Sequence, residues 1–136
     1  MEDGRAVAGD RALVVVDGAN VVGSRPDGWW RDRAGAANRL VAEVAAGLGP
    51  TGDVAVVLEG AARAGVPADG AGAVRVVHAA GSGDDEIVDL VGRARADQPH
   101  RPVVVVTSDR DLRRRVTDLG AQTQGPGWLW RRLSHR

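Results

Sequence analysis

The sequence predicts an α/β fold, a three-layer α/β/α sandwich around a mainly parallel sheet of four to five strands. Two observations predict it: four short valine-rich runs recur along the chain, and segments with helical spacing of apolar residues separate them. Runs that are apolar throughout are typical of parallel strands covered on both faces. Alternation of strands with helices favours right-handed βαβ units.

The predicted strands follow from the apolar runs at residues 13–17, 54–58, 73–77 and 103–107. Each is short and rich in β-branched side chains, which suit a pleated, buried surface. A weaker run at residues 121–123 predicts a fifth strand. These segments would form the central layer of the sandwich.

The predicted helices cover residues 33–48, 84–96 and 109–119, where apolar side chains recur three or four positions apart. Gly49 and Pro50 end the first of them, and Gly120 ends the last. Residues 60–72 are rich in glycine and alanine and predict a surface loop with at most one helical turn. Residues 1–10 predict a flexible N-terminus, and residues 11–136 a single domain.

Composition restricts the chemistry that the chain can perform. One domain is the default at 136 residues. The absence of cysteine excludes disulfides and cysteine–metal sites. No apolar run approaches the roughly 20 residues that span a bilayer, and the charged N-terminal residues do not resemble a secretory signal, so we expect a cytoplasmic protein without a membrane partner. The net charge of +0 gives no overall signal for nucleic acid, and the absence of lysine excludes a catalytic lysine.

Acidic residues follow the predicted strands where their carboxyl ends should meet, which is where open α/β sheets bind ligands. They are Asp17 with Asn20 nearby, Glu59, Asp84 and Asp85, and Asp109 and Asp111. Clustered carboxylates repel one another and raise one another's pKa. Mg²⁺ or Mn²⁺ would relieve that repulsion, since carboxylate oxygen suits both ions. Such an ion activates water and offsets phosphoryl charge, which favours phosphodiester hydrolysis.

A structural interpretation stands beside the catalytic one for each of these residues. Asp17 with Gly18 could be an ordinary turn. The spacing of Ser82 with Asp85, and of Ser108 with Asp111, fits helix capping boxes. The remaining alternatives are favourable first-turn helix charges at Asp84 and Asp109, and a solvated strand end at Glu59.

Four segments carry a resemblance to a known family: VVVDGANVVGS, VVLEGAARAG, GSGDDEIVDLV and VVVVTSDRDLRRRV. They resemble the NYN family of PIN-like nucleases, especially its YacP-like branch, over most of residues 13–124. The resemblance implies a PIN-like domain over residues 11–136 with metal-dependent endoribonuclease activity. It implies these catalytic residues: Asp17, Asn20, Asp84 and Asp109, with Asp111 as an added acidic position. It implies a metal site formed by Asp17, Asp109 and either Asp84 or Asp85.

Three positions depart from the pattern of the YacP-like branch. Ala19 stands where an aromatic residue is usual, Glu59 where aspartate is usual, and Gly83 where alanine is usual. The last departure leaves the choice between Asp84 and Asp85 open by one position. Some PIN-like domains bind RNA without cleaving it, so the resemblance supports the fold more strongly than the activity.

Arginines near the predicted site are candidates for RNA binding, because guanidinium groups bind phosphate in a bidentate manner. The candidates are Arg110, Arg113, Arg114 and Arg31. Arg31 follows Trp29 and Trp30 in a loop that should overhang the site, and aromatic rings stack on unpaired bases. The alternative is that the arginines form a solvated helix face and that most tryptophans pack in the core.

Three hypotheses for the function follow from these features. The first is an endoribonuclease that cleaves single-stranded RNA, either messenger or ribosome-associated, with Mg²⁺ or Mn²⁺. The second is a non-catalytic RNA- or ribosome-binding module on the same fold. The third is a phosphotransfer or dinucleotide-binding domain. Three features disfavour it: the chain lacks lysine, Ala19 stands two residues after Asp17, and no G-x-G-x-x-G motif follows the first strand. A monomer and a homodimer are both compatible with the sequence.

Overall fold

The computed structural model describes residues 12–48, 53–68 and 74–134, and within them the chain forms a five-stranded sheet. Every strand pairing is parallel, and the strand order is β3-β2-β1-β4-β5. The strands are β1 Leu13–Asp17, β2 Asp53–Leu58, β3 Val74–His78, β4 Val103–Val106 and β5 Gln122–Gln124. The predicted sandwich around a mainly parallel sheet is therefore confirmed, including the short fifth strand. The predicted flexible segment at residues 1–10 lies outside the described residues.

Among the described residues, five α-helices accompany the sheet: α1 Gly18–Val22, α2 Arg33–Leu48, α3 Gly83–Asp97, α4 Arg110–Asp118 and α5 Pro126–Ser134. The apolar spacing predicted α2, α3 and α4 to within one residue at each end. The short α1 and the C-terminal α5 were not predicted. A 3-10 helix lies in that loop at Gly60–Gly65, and its 6 residues make about two turns where one helical turn was expected. Residues 69–73 of the same loop lie outside the described residues.

The two faces of the sheet bury separate apolar clusters. On one face Val16 and Val56 pack with residues of α2 and α5. On the other face Val15 and Val57 pack with residues of α3 and α4. Neighbouring side chains of one strand point to opposite faces, so a strand covered by helices on both sides must be apolar at every position. Each fully buried valine contributes about 1.5–3 kcal/mol of apolar transfer free energy.

The central position of β1 determines where side chains from distant segments meet. β1 pairs with β2 on one side and with β4 on the other, so the strand order reverses between β1 and β4. Asp17, the last residue of β1, is level with Val57 of β2. A reversal of strand order opens a crevice at the carboxyl ends of the strands. Among the described helices, none has the length and apolar character needed to cross a bilayer.

Candidate acidic site at the carboxyl end of the sheet

Asp17 is the buried centre of the predicted site. It ends β1 and caps the start of α1, where its Oδ1 accepts a 3.3 Å hydrogen bond from the backbone N–H of Asn20. Its Oδ2 accepts a 2.9 Å hydrogen bond from the hydroxyl of Thr107. Burial raises the pKa of Asp17 to about 6, although both hydrogen bonds act in the opposite direction. The nearby carboxylates of Asp84 and Glu59 contribute to the same rise. Asp17 can therefore cap the turn after β1 and also belong to the acidic site.

Thr107 connects the ends of β1 and β4, and the sequence prediction did not assign it a role. Its side chain is fully buried; its Oγ1 donates to Asp17 and accepts a 3.1 Å hydrogen bond from the backbone N–H of Asp109. One hydroxyl therefore fixes the orientation of two acidic residues from neighbouring strand ends. The only local signal in the sequence is a hydroxyl residue directly after four valines.

Asn20 lies beside Asp17 and also contacts the turn after β4. Its Oδ1 accepts hydrogen bonds from the backbone N–H and the hydroxyl of Ser108, at 2.9 and 3.0 Å. These two contacts join the start of α1, directly after β1, to the turn after β4. The catalytic role that the resemblance implies for Asn20 remains a prediction.

Asp109 caps α4, and its Oδ1 accepts a 2.8 Å hydrogen bond from the backbone N–H of Leu112. The capping box predicted for Ser108 with Asp111 is therefore wrong, because the helix begins one residue later than that pairing requires. Asp111 is exposed, and it forms a 2.5 Å ion pair with Arg114 one helical turn ahead. Its carboxylate is engaged on the surface of α4, and its assignment as a catalytic residue remains a prediction.

Asp84 and Asp85 both lie in the first turn of α3, but they differ in their surroundings. Partial burial raises the pKa of Asp84, and the carboxylates of Asp109 and Glu59 raise it further, against a smaller lowering by Arg115. Asp85 forms a 3.0 Å ion pair with Arg115 and leaves 71% of its side chain exposed. Successive helical residues diverge by about 100°, which separates the two side chains. Asp84 is therefore the member of this pair that interacts with the acidic cluster.

The start of α3 is held by two side chains from outside the helix proper. Ser82 is the N-cap, and its Oγ accepts from the backbone N–H of Asp85 at 3.3 Å, as one half of the predicted capping box. Glu59 reaches across from the end of β2, and its Oε1 accepts a 2.7 Å hydrogen bond from the backbone N–H of Gly83. The interpretation of Glu59 as a merely solvated strand end is therefore wrong.

Four carboxylates thus gather at one edge of the sheet, where the pKa of Asp17 and the pKa of Asp84 are both raised by carboxylates beside them. They are Asp17, Glu59, Asp84 and Asp109. Within the described ranges, no group of three or more histidine, aspartate or glutamate side chains is arranged closely enough to hold an ion on its own. An all-oxygen donor set whose members repel one another fits Mg²⁺ or Mn²⁺ held by one or two carboxylates, with water completing the shell.

The predicted RNA-binding arginines have different environments. Arg110 is exposed in the first turn of α4. Arg113 donates from Nε to the Thr123 hydroxyl at 3.0 Å, and Arg114 pairs with Asp111. Arg31 lies 5.6 Å from the ring centre of Trp30, within the loop after α1. Three of the four lie on the helix that Asp109 caps, and their contact with RNA remains a prediction.

Comparison with known proteins supports the fold of the chain through similar structures, and not through similar sequences. No protein-family model matches the chain, and no curated protein does. Two solved structures of Rae1 (YacP) from Bacillus subtilis match, with TM-scores of 0.74 and 0.70 (the second is a tryptophan-to-leucine mutant). Sequence identity is 20% in both; the matches cover 90% and 91% of this chain, and 74% and 76% of the other chains. The chain therefore has the α/β fold of Rae1 (YacP), and its predicted resemblance to the YacP-like branch of the PIN-like NYN family is confirmed at the level of the fold.

Proposed function

We propose that this protein is a metal-dependent endoribonuclease that hydrolyses phosphodiester bonds of single-stranded RNA. The observation that carries the proposal is that Asp84, from the first turn of α3, lies close enough to the buried Asp17 at the end of β1 to raise the pKa of Asp17. Glu59 and Asp109 add negative charge at the same edge. Such an arrangement costs free energy unless a cation neutralises it.

In this proposal each residue of the site has a distinct task. Asp17 and Asp84 hold Mg²⁺ or Mn²⁺, directly or through water, and Asp109 assists. The bound ion would lower the pKa of a water molecule and offset the negative charge of the phosphoryl group. Thr107 holds the Asp17 carboxylate in one orientation, as partners of metal-binding carboxylates commonly do. Asn20 and Ser108 keep the turn after β4 beside it.

The surroundings of the site suit an extended, flexible substrate. The acidic edge borders α4, which carries the exposed Arg110 and Arg114 and the partly buried Arg113 for contacts with phosphate groups. A single strand can bend to bring one phosphate to the carboxylates while its neighbours contact arginine. We expect the substrate in the cytoplasm, as messenger or ribosome-associated RNA.

The test is cleavage of a short, unstructured, end-labelled RNA by purified protein in Mg²⁺ or Mn²⁺. We expect Asp17→Asn, Asp84→Asn and Asp109→Asn each to lower the rate on the order of 100-fold or more. The matched control is Asp89→Asn, which removes an exposed carboxylate from the same helix as Asp84. Full activity in both Asp17→Asn and Asp109→Asn would reject the site.

A non-catalytic RNA-binding module is the second candidate, and one observation favours it. Both carboxylate oxygens of Asp17 already accept hydrogen bonds, from Asn20 and Thr107, so the residue has a structural task without any ion. This candidate predicts salt-sensitive RNA binding and no cleavage with any metal. It further predicts that replacing Arg113 and Arg114 by glutamine weakens binding while Asp17→Asn leaves it intact.

A further inference from the structure

Each of the four tryptophans has an arginine guanidinium over or near its ring. The distances from guanidinium carbon to ring centre are 3.5 Å for Arg25 and Trp130, 4.3 Å for Arg132 and Trp128, 5.1 Å for Arg33 and Trp29, and 5.6 Å for Arg31 and Trp30. These pairs come from the loop after α1, from the first residue of α2 and from α5. We call them together the Trp–Arg surface.

The loop that carries this surface is fixed against the rest of the protein. The Nε1–H of Trp130 donates a 2.9 Å hydrogen bond to the hydroxyl of Ser24, and that hydroxyl donates to the carbonyl of Val21 at 2.6 Å. Arg25 lies over Trp130 and forms a 3.6 Å ion pair with Glu43 of α2. A surface that is ordered before binding loses less conformational entropy when a ligand binds.

Trp30 is the exposed member of the Trp–Arg surface. It leaves 53% of its area in solvent, and Leu119 is the other large apolar residue exposed among the described residues. Its ring meets that of Trp29 edge to face, at 6.1 Å and 89°, and Gly28 turns the chain just before them with φ of +79°. Packing in the core accounts for Trp128 but not for Trp30, whose ring is available to a partner.

The Trp–Arg surface begins close to the acidic site. The ring of Trp29 lies 3.7 Å from the point where a Cβ of Gly23 would stand, and Gly23 ends α1. Asn20 lies three residues earlier on α1, or about 5 Å along a helix axis. A strand of RNA with one phosphate at the acidic site would therefore bring a neighbouring base to the tryptophans.

We propose that Trp30, with Arg31 beside it, is a stacking site for an unpaired RNA base a few nucleotides from the bond that is cleaved. The inference rests on the proposed function, since it names a subsite for that substrate. Indole rings stack on any base, and arginine binds the adjoining phosphate or stacks in turn. Asp32 follows Arg31 in the chain and carries the opposite charge. Its carboxylate is already engaged, because its Oδ1 accepts a 2.8 Å hydrogen bond from the backbone N–H of Gly35.

The test is fluorescence anisotropy of a short labelled single-stranded RNA, with EDTA present so that no cleavage occurs. We expect Trp30→Ala to raise the Kd at least about 5-fold, the lower range for loss of one stacked base. Trp30→Phe should keep most of the affinity, because it keeps an aromatic face. The matched control is Leu119→Ala, which removes the other exposed apolar side chain at the far end of α4 and should leave the Kd unchanged.

The outcomes separate this inference from the proposed function. If the wild type cleaves RNA while Trp30→Ala binds it as tightly as the wild type does, the stacking site is wrong and the nuclease stands. If the wild type neither binds nor cleaves RNA, both are wrong. Competition by polyglutamate as strong as competition by unlabelled RNA would also overturn the stacking site, because it would indicate a surface for acidic proteins.

Discussion

Glu59 and Gly83 form one coupled contact: the Oε1 of Glu59 accepts a 2.7 Å hydrogen bond from the N–H of Gly83, and a Cβ at residue 83 would overlap that same oxygen. Both positions depart from the YacP-like pattern, which usually has aspartate and alanine there. The longer carboxylate occupies the space that an alanine methyl group needs. The two departures look unrelated in the sequence, but the longer side chain at residue 59 fills the space left by the missing methyl group at residue 83.

We expect Gly83→Ala alone to lower the free energy of unfolding by about 1 kcal/mol, because the methyl group displaces the Glu59 carboxylate and breaks its hydrogen bond to the N–H of residue 83. The double variant Glu59→Asp with Gly83→Ala should recover most of that loss, since the shorter side chain withdraws from the clash. Urea denaturation of both single variants and the double variant gives the coupling energy directly.

The matched control for that cycle is Gly92→Ala, which lies in the same helix and whose added Cβ meets nothing within 4 Å. It should raise stability by about 0.5–1 kcal/mol, as alanine does at an open helical position. Equal effects of the substitution at Gly83 and at Gly92 would contradict the coupling.

Thr107 offers a test of how the two acidic residues beside it are held. Thr107→Val keeps the shape but removes the donor to Asp17 and the acceptor for the N–H of Asp109. We expect a loss of about 1–3 kcal/mol in stability, because a buried polar group loses its partner. Thr107→Ser keeps the hydroxyl, so it should retain more RNA cleavage than Thr107→Val in the same assay.

Thr117→Val is the control for this substitution, since the same change is made at an exposed position of α4 and should alter stability by no more than about 0.5 kcal/mol. Comparable losses in the variants at Thr107 and Thr117 would mean that the buried hydroxyl is not what orders the site.

The parts of the fold that the sequence predicted are those with a repeated local signal. Valine runs identified the strands, and apolar spacing identified the three long helices. α5 was missed because Leu129 and Leu133 are its only fully apolar buried side chains after Pro126, among tryptophans and arginines that suggested a surface. α1 was missed because five residues are too few to show a helical period.

The carboxylates of the site were predictable for a similar reason, since each follows a strand end. The contacts that bring these carboxylates together were not predictable, because they join residues far apart in the chain. No local pattern links Glu59 to Gly83, or marks Thr107 as the partner of Asp17. The choice between neighbouring acidic residues in α3 depended on helix rotation relative to the sheet, which only the fold defines.

The pKa of Asp17 predicts a dependence of stability on pH. Burial raises this pKa from 3.8 to about 6, so the folded protein holds the proton more tightly than the unfolded chain does. The stabilisation is fully present below about pH 4 and is lost as the pH rises through 6. Between pH 4 and pH 7 the stability of the wild type should fall by about 2–3 kcal/mol relative to Asp17→Asn. Parallel pH curves for the two proteins, measured by urea denaturation, would contradict the buried environment.

Addition of Mn²⁺ tests the acidic site without reference to cleavage. At pH 7 we expect the melting temperature of the wild type to rise with Mn²⁺ concentration, because a ligand that binds the folded state stabilises it. Asp84→Asn should abolish the rise. Asp85→Asn should preserve it, since that carboxylate pairs with Arg115 on the surface and loses little by neutralisation. If Asp85→Asn abolished the rise and Asp84→Asn preserved it, Asp85 and not Asp84 would be the residue that binds the ion.

The strand order has a consequence for synthesis of the protein on the ribosome. Asp17 lies in the first strand, whereas the hydroxyl that orients it lies 90 positions later in the chain. A nascent chain that has exposed only β1, β2 and β3 has no β4 beside β1, so the Asp17 carboxylate is without that partner. The acidic site should therefore form in a single late event, when β4 inserts next to β1, rather than gradually as the chain lengthens.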